Sequence, residues 1–208
     1  MIIDFKQATP LNRYHLMTQT ILPRPIAWVL SLNEPRDGNA DNSRYNLAPF
    51  SYFNAMGSEP PMLALSIGNK PSGEAKDTRI NLLSGRDFVI HIASSAQAAA
   101  LNASAAPLNY GESEISAAGL VTEPFANCDA PRIKDCPVAF HCRLFNHHEL
   151  GNQAVIYAEV IQLYVNDNNI EQHEQRYIID PIKLDPLARL GGSDYAKLGE
   201  VFSLDRPK

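Results

Sequence analysis

The run Ala154–Val165 constrains this chain more than any other stretch. Extended, it places Val155, Tyr157, Ile161 and Leu163 on one side and Ile156, Ala158, Val160 and Tyr164 on the other. A strand apolar on both faces has to be covered on both, so it belongs inside a packed sheet rather than on a solvated one. Val138 to Phe145 precedes it, with Val138, Phe140, Cys142 and Leu144 on one face. Gly151-Asn152 between the two runs reads as a turn, which makes the pair an antiparallel hairpin.

Other segments supply more strands than helices. Ile26–Leu32, Tyr45–Phe53, Met62–Ile67 and Phe88–Ile92 are short, β-branched or aromatic runs bounded by turn formers. Thr9-Pro10 opens a helix, with Thr as N-cap and Pro at the first helical position, and Leu11, Tyr14 and Thr18 share one face before Pro23 and Pro25 stop it. Ser94-Ser-Ala-Gln97 has capping-box spacing and opens an Ala-rich helix ending near Asn102. Residues 33–45, with Arg36-Asp37-Gly38, read as a polar surface loop, and the tail from Pro181 also reads as loop. About six strands without regularly alternating crossover helices argue against a doubly wound parallel sheet and for an antiparallel barrel with peripheral helices.

Length and composition narrow the class. The 208 residues suit one domain spanning 1–208, with 45% hydrophobic and 20% charged residues. A net charge of -5 and the lack of a basic run give no footprint for nucleic acid. No apolar stretch approaches the roughly 18 to 20 residues that span a bilayer, and Met1-Ile-Ile-Asp-Phe-Lys lacks the layout of a signal peptide. Cys128, Cys136 and Cys142 are an odd set at unmatched spacings, which favours reduced thiols and a cytoplasmic location.

Two segments offer complementary surfaces for one ligand. Lys76-Asp77-Thr78-Arg79 stands at a helix start where Asp77 or Thr78 can cap; Lys76 adds a cation, Thr78 a hydroxyl donor and Arg79 a fork, a set suited to phosphate. An ordinary capped surface helix accounts for the same residues. Pro49 inside a strand pattern marks an edge or a break in pairing, where freed backbone groups can meet the rim of a flat polar ring or simply water. No Gly-x-x-x-x-Gly-Lys-Ser/Thr or Gly-x-Gly-x-x-Gly is present.

Pro23-Arg-Pro-Ile-Ala-Trp-Val, Asn46-Leu-Ala-Pro-Phe-Ser-Tyr-Phe-Asn54, Pro60-Pro61 and Lys76-Asp77-Thr78 occur in one order. That series resembles the flavin reductase-like, flavoredoxin-type family of FMN-binding split barrels, from about Leu22 through Val165 and again from Leu187 to Tyr195. The resemblance implies a Greek-key barrel, dimeric, with FMN near the interface and the tail 181–208 close to the flavin pocket. It implies Asn46, Ala48, Pro49, Phe50 and Ser51 along the isoalloxazine, Ser66, Ile67 and Gly68 near the ribityl-phosphate, and Lys76, Asp77 and Thr78 on the phosphate. Arg189 and Tyr195, in Leu-x-Arg-Leu-Gly-Gly-x-x-Tyr, are similar to a tail that reaches the pocket. One departure is Phe88-Val-Ile-His91, where the family often has Phe-Val-Val-Asn; an imidazole facing the cofactor would affect substrate preference.

The activity this implies is an FMN-dependent oxidoreductase fed by NADH or NADPH, with no obligatory side-chain acid or base and an unknown second acceptor. A non-catalytic electron carrier is the alternative, and a barrel that has lost its flavin is a third reading that the intact Lys76-Asp77-Thr78 argues against. His147-His148-Glu149 does not form a metal site at strand spacing, because adjacent histidines point to opposite faces. Neither a zinc pattern nor a Gly-x-Ser-x-Gly elbow is present; Cys142 and Trp28 read as core.

Overall fold

A computed structural model describes residues 1–34, 44–109 and 112–207, so the Arg36-Asp37-Gly38 loop lies outside the described residues. Seven strands form the main sheet: β1 (Ala27–Leu32), β2 (Tyr45–Phe50), β3 (Phe53–Ser58), β4 (Pro61–Gly68), β5 (Phe88–Ile92), β6 (Val138–Leu150) and β7 (Gln153–Val165). All neighbouring pairs are antiparallel, in the order β2-β1-β5-β6-β7-β4-β3. The strands at the two ends of this order, β2 and β3, are consecutive in the chain and separated only by Ser51 and Tyr52. The sheet must therefore curl so that its two edge strands come close at this link, and the Ser66 N–H donating to the Tyr52 carbonyl at 2.8 Å carries the β3–β4 ladder into it. The passage from β4 across to β5 gives the Greek-key order of a split barrel.

The hairpin anticipated from Gly151-Asn152 is β6–β7, with register shifts near Tyr157 and Val160. Ala154, Ile156 and Ala158 are fully buried with Val29, Leu65, Ile67, Phe88 and Ile90, which together fill the barrel. Trp28, Leu30, Leu47 and Val89 point the other way, onto an outer layer carrying Leu101, Ile115 and Ile133. The opposite face of β7 is less covered, for Ile161 and Leu163 are exposed.

Among the described residues five α-helices dress the barrel: α1 (Pro10–Thr20), α2 (Asp77–Leu83), α3 (Ala98–Ala103), α4 (Glu114–Ala117) and α5 (Pro181–Leu184). Thr9 caps α1 by accepting from the Asn12 N–H at 3.2 Å, and the Ser94/Gln97 capping box precedes α3 through a short 3-10 turn. Only Thr18 of the expected α1 face is buried, while Leu11 and Tyr14 are exposed. None of the described helices is long and apolar enough to cross a membrane.

Three sequence expectations need correction. The run from Tyr45 to Phe53 is not one strand, because it breaks at Ser51-Tyr52 where the chain turns from one sheet edge to the other. Neither Asp77 nor Thr78 caps α2: the N-cap is Lys76, Asp77 lies in the first turn bonded to Lys70, and Thr78 is buried. The tail is not all loop. Pro181–Leu184 is helical, Ala188–Arg189 pairs with both Arg24–Pro25 and Tyr195–Ala196, and buried Arg24 anchors this corner. Its guanidinium donates to the carbonyls of Thr18, Ile21 (3.2 Å) and Leu190 (2.8 Å), while Nε reaches the Ser51 hydroxyl at 3.3 Å.

Candidate binding cleft

The free edge of β2 borders a cavity of about 400 Å³. Asn46, Ala48, Pro49 and Phe50 form its floor; Lys76, Asp77 and Thr78, with Lys70 and Pro71, form one wall. Ser104 to Leu108 and Glu114 form the other. A smaller cavity of about 200 Å³ adjoins it, sharing Pro49, Phe50 and Ala105, and holds Ser51, Arg189 and Tyr195. The Arg189 guanidinium stacks 4.4 Å from the Tyr195 ring centroid, and the Tyr195 hydroxyl donates to Asn102 at 3.2 Å.

Seven of the residues picked from sequence thus line one cavity and Ser51, Arg189 and Tyr195 line its extension. Ser66, Ile67 and Gly68 are elsewhere. Ser66 donates to Gln153 at 3.1 Å, Ile67 is sealed in the barrel core, and Gly68 faces Gln153 across the ladder. Arg79, read as a phosphate fork, instead donates to Asn69 at 2.8 Å and to Glu149 at 2.5 Å.

A buried polar network joins the two ligand-facing segments. Asn46 Nδ2 donates to Thr78 Oγ1 at 2.8 Å and to Ser31 at 3.4 Å, and Asn81 donates to Ser31 and Asn33. Thr78 Oγ1 accepts here, leaving its hydroxyl hydrogen available to donate. Lys76 sits 5.6 Å over the Phe50 ring, and burial pushes its pKa down. Lys70 is engaged with Asp77 at 2.6 Å, whereas no ion pair among the described residues engages Lys76.

Glu114 is the cleft residue that sequence reasoning missed. It is buried, accepts from the Leu47 N–H at 2.9 Å, and has its pKa raised by burial. A Glu after Ser113 reads locally as an ordinary first-turn acid, and only the fold brings it beneath β2.

His91 does not face the cleft. It is wholly buried, with Nδ1 3.0 Å from the Trp28 carbonyl and Nε2 accepting from the Ile133 N–H at 2.9 Å, so the ring is neutral with its proton on Nδ1. Burial lowers its pKa to about 4. His147 and His148 are exposed. The fold does gather Asp87, Cys128 and His141, whose ligand-type atoms lie within 4.8 Å of one another. There Asp87 is already hydrogen-bonded by His141 at 2.8 Å and ion-paired with Arg143 at 2.9 Å, and burial pushes the Cys128 thiol up to about 11, so the cluster reads as a network built on the Asp87–Arg143 pair.

Comparison with known proteins bears directly on this arrangement. A model of the flavin reductase like domain matches residues 18–182. The chain belongs to the flavin reductase-like family. The uncharacterized protein YwrF of Bacillus subtilis is 35% identical, over 99% of this chain and 98% of its own. Nitrilotriacetate monooxygenase component B from Bacillus cereus superposes with a TM-score of 0.85 at 32% identity, covering 98% of each chain. The 2-nitrobenzoate 2-nitroreductase NbaA of Pseudomonas fluorescens does so at 0.84 and 28%, covering all of this chain and 96% of that one.

Proposed function

We propose that this protein is an FMN-dependent oxidoreductase that takes reducing equivalents from NADH or NADPH and passes them to a second acceptor. The observation that carries this reading is the cleft: segments thirty residues apart bring an open strand edge with Pro49 and the Lys76/Thr78 pair to one cavity. Its volume lies within the roughly 300–1,000 Å³ of small-molecule sites. Family membership, and the redox proteins named among its structural neighbours, support the same class of chemistry.

The donor set fits the group. Lys76, which no ion pair among the described residues engages, and the Thr78 hydroxyl would hold a phosphate; Asn46 fixes Thr78 in place. Phe50, Pro49 and Ala48 would flank the ring, and Arg189 with Tyr195 would close its far end. The bound flavin would supply reversible hydride and single-electron chemistry at its ring. The chain's own contribution is to bind, orient and exclude water; no cleft side chain is needed as acid or base.

The deciding experiment mixes purified protein with FMN and then NADH or NADPH without oxygen, following the visible flavin band. Rapid bleaching is expected. FMN binding without bleaching would assign the chain to the electron-carrier alternative, and no FMN binding would overturn the proposal.

A further inference from the structure

The smaller cavity, about 200 Å³, lies where the end of β2, helices α1 and α3 and the tail meet, and its charge is one-sided. Arg189 lines it, and no acidic side chain among the described residues does. The Arg189 guanidinium donates to the Gly192 carbonyl from Nη2 and stacks on the Tyr195 ring, while Nη1 is buried with no hydrogen-bond partner. Behind the cavity stands a second guanidinium, that of buried Arg24, whose partners are three carbonyls and the Ser51 hydroxyl. Ser51 lines the cavity; its oxygen accepts from Arg24 Nε at 3.3 Å, which leaves its own hydrogen to donate. Every hydrogen-bond partner of the two cations is thus a neutral oxygen.

Two guanidinium groups and a hydroxyl donor, with no acid between them, favour an anion. A buried donor without a partner is also relieved when an anionic oxygen reaches it. The remaining walls decide which anion. Ile26, Pro49, Phe50, Leu101 and Tyr195 are apolar or aromatic. A small inorganic ion would exchange its hydration for few bonds there. A carboxylate on a ring would bury that ring against these walls while its planar end meets the guanidinium fork. The volume falls below the roughly 300 Å³ at which sites for drug-sized molecules begin, which limits the occupant to one ring.

We propose that this cavity is the second-substrate site and takes a one-ring aromatic carboxylate, held through its carboxylate by Arg189 and Ser51. Pro49, Phe50 and Ala105 are walls of both cavities, so the occupant's ring would lie beside the flavin. That placement rests on the flavin reading above.

Calorimetric titration of the full-length, FMN-loaded protein with benzoate and with benzamide, its neutral isostere, tests this. Benzoate is expected to bind at least about tenfold more tightly, a charge-assisted contact being the difference. Arg189→Gln should bring that ratio close to one, and Arg189→Lys should restore part of it; a variant that merely loosened the cavity would weaken both ligands alike. Benzoate should also shift the visible band of the bound flavin. If Arg189→Gln fails to fold, the wild-type ratio and the band shift decide. Equal affinity for benzoate and benzamide would overturn the inference while leaving FMN binding intact. So would inorganic phosphate binding as tightly as benzoate, or benzoate binding without a shift of the flavin band. Failure to bind FMN would remove the flavin reading instead, and the benzoate-to-benzamide ratio of the flavin-free protein would then decide the anion site.

Discussion

Asn46 donates from Nδ2 to Oγ1 of Thr78 at 2.8 Å, joining the open strand edge to the first turn of α2 inside a buried network. The two halves of the cleft are thereby locked to each other before any ligand arrives. A phosphate held by Lys76 and Thr78 would sit at a fixed distance from Pro49 and Phe50. Replacing both Lys76 and Thr78 by Ala is expected to weaken FMN binding by tenfold or considerably more, because each bond to a charged group is worth roughly 1.5–3 kcal/mol. Fluorescence titration measures this, and circular dichroism should show the fold retained. An unchanged affinity in a folded double variant would move the phosphate site elsewhere. The same contacts predict that FMN binds better than riboflavin, which lacks the phosphate.

His91 gives the protein an acid-sensitive core. Its pKa is lowered to about 4 in the fold, first by burial and also by the Arg132 charge, against an ordinary value of 6.5. The unfolded chain therefore binds the extra proton more readily between those values. The resulting stability is complete above about pH 6.5 and is lost as pH falls toward 4, by at most about 3 kcal/mol. His91→Asn should flatten this part of a plot of Tm against pH. At pH 7 it should cost about 1–3 kcal/mol, since the Ile133 N–H loses its acceptor. An acid limb unchanged in the variant would assign the sensitivity to another group.

Arg24 should matter to the tail as much as to its own strand. It ties α1, Ser51 and Leu190 together through one guanidinium. Arg24→Ala is expected to destabilise the protein by about 2–4 kcal/mol, because several buried carbonyls lose a charged donor. Hydrogen exchange should speed up around 187–196 ahead of the barrel strands. Uniform acceleration across the molecule would contradict a local anchoring role.

Assembly is open to direct measurement. Leu11 and Tyr14 on α1 and Ile161 and Leu163 on β7 are exposed apolar groups in the single chain. Contiguous exposed apolar patches mark association surfaces. A homodimer whose dissociation releases FMN is the expected state, and sedimentation at micromolar protein decides it. A monomer retaining one flavin would refute both halves of that expectation.

Much of the barrel was legible because its strands announce themselves. Ala27–Leu32 is buried at every position, and the β6–β7 hairpin is signalled by its turn and its two runs. Strand Phe53–Ser58 was not legible: it is an edge strand with five exposed residues, and Asn54, Ala55, Met56 and Gly57 carry no alternation. Lys76 gives no capping signal, since its side chain makes no cap bond. The cleft was half legible. Pro49 and Lys76-Asp77-Thr78 are local signals, whereas Glu114 and Arg24 act on partners 67 and 166 residues away and leave no trace in their own neighbourhoods.

The two-residue link Ser51-Tyr52 has a geometric consequence. Since it joins the first and last strands of the sheet, the two sheet edges are tied covalently at that point, whatever the ladders do elsewhere. One residue added there would lengthen the link by about 3.3 Å and would reverse the facing of Phe53 relative to Phe50. Phe50 belongs both to the barrel filling and to the cleft floor. The length of this short link is thus a gauge that sets, in one stroke, how the edge strand Phe53–Ser58 is phased and where the floor of the cleft lies.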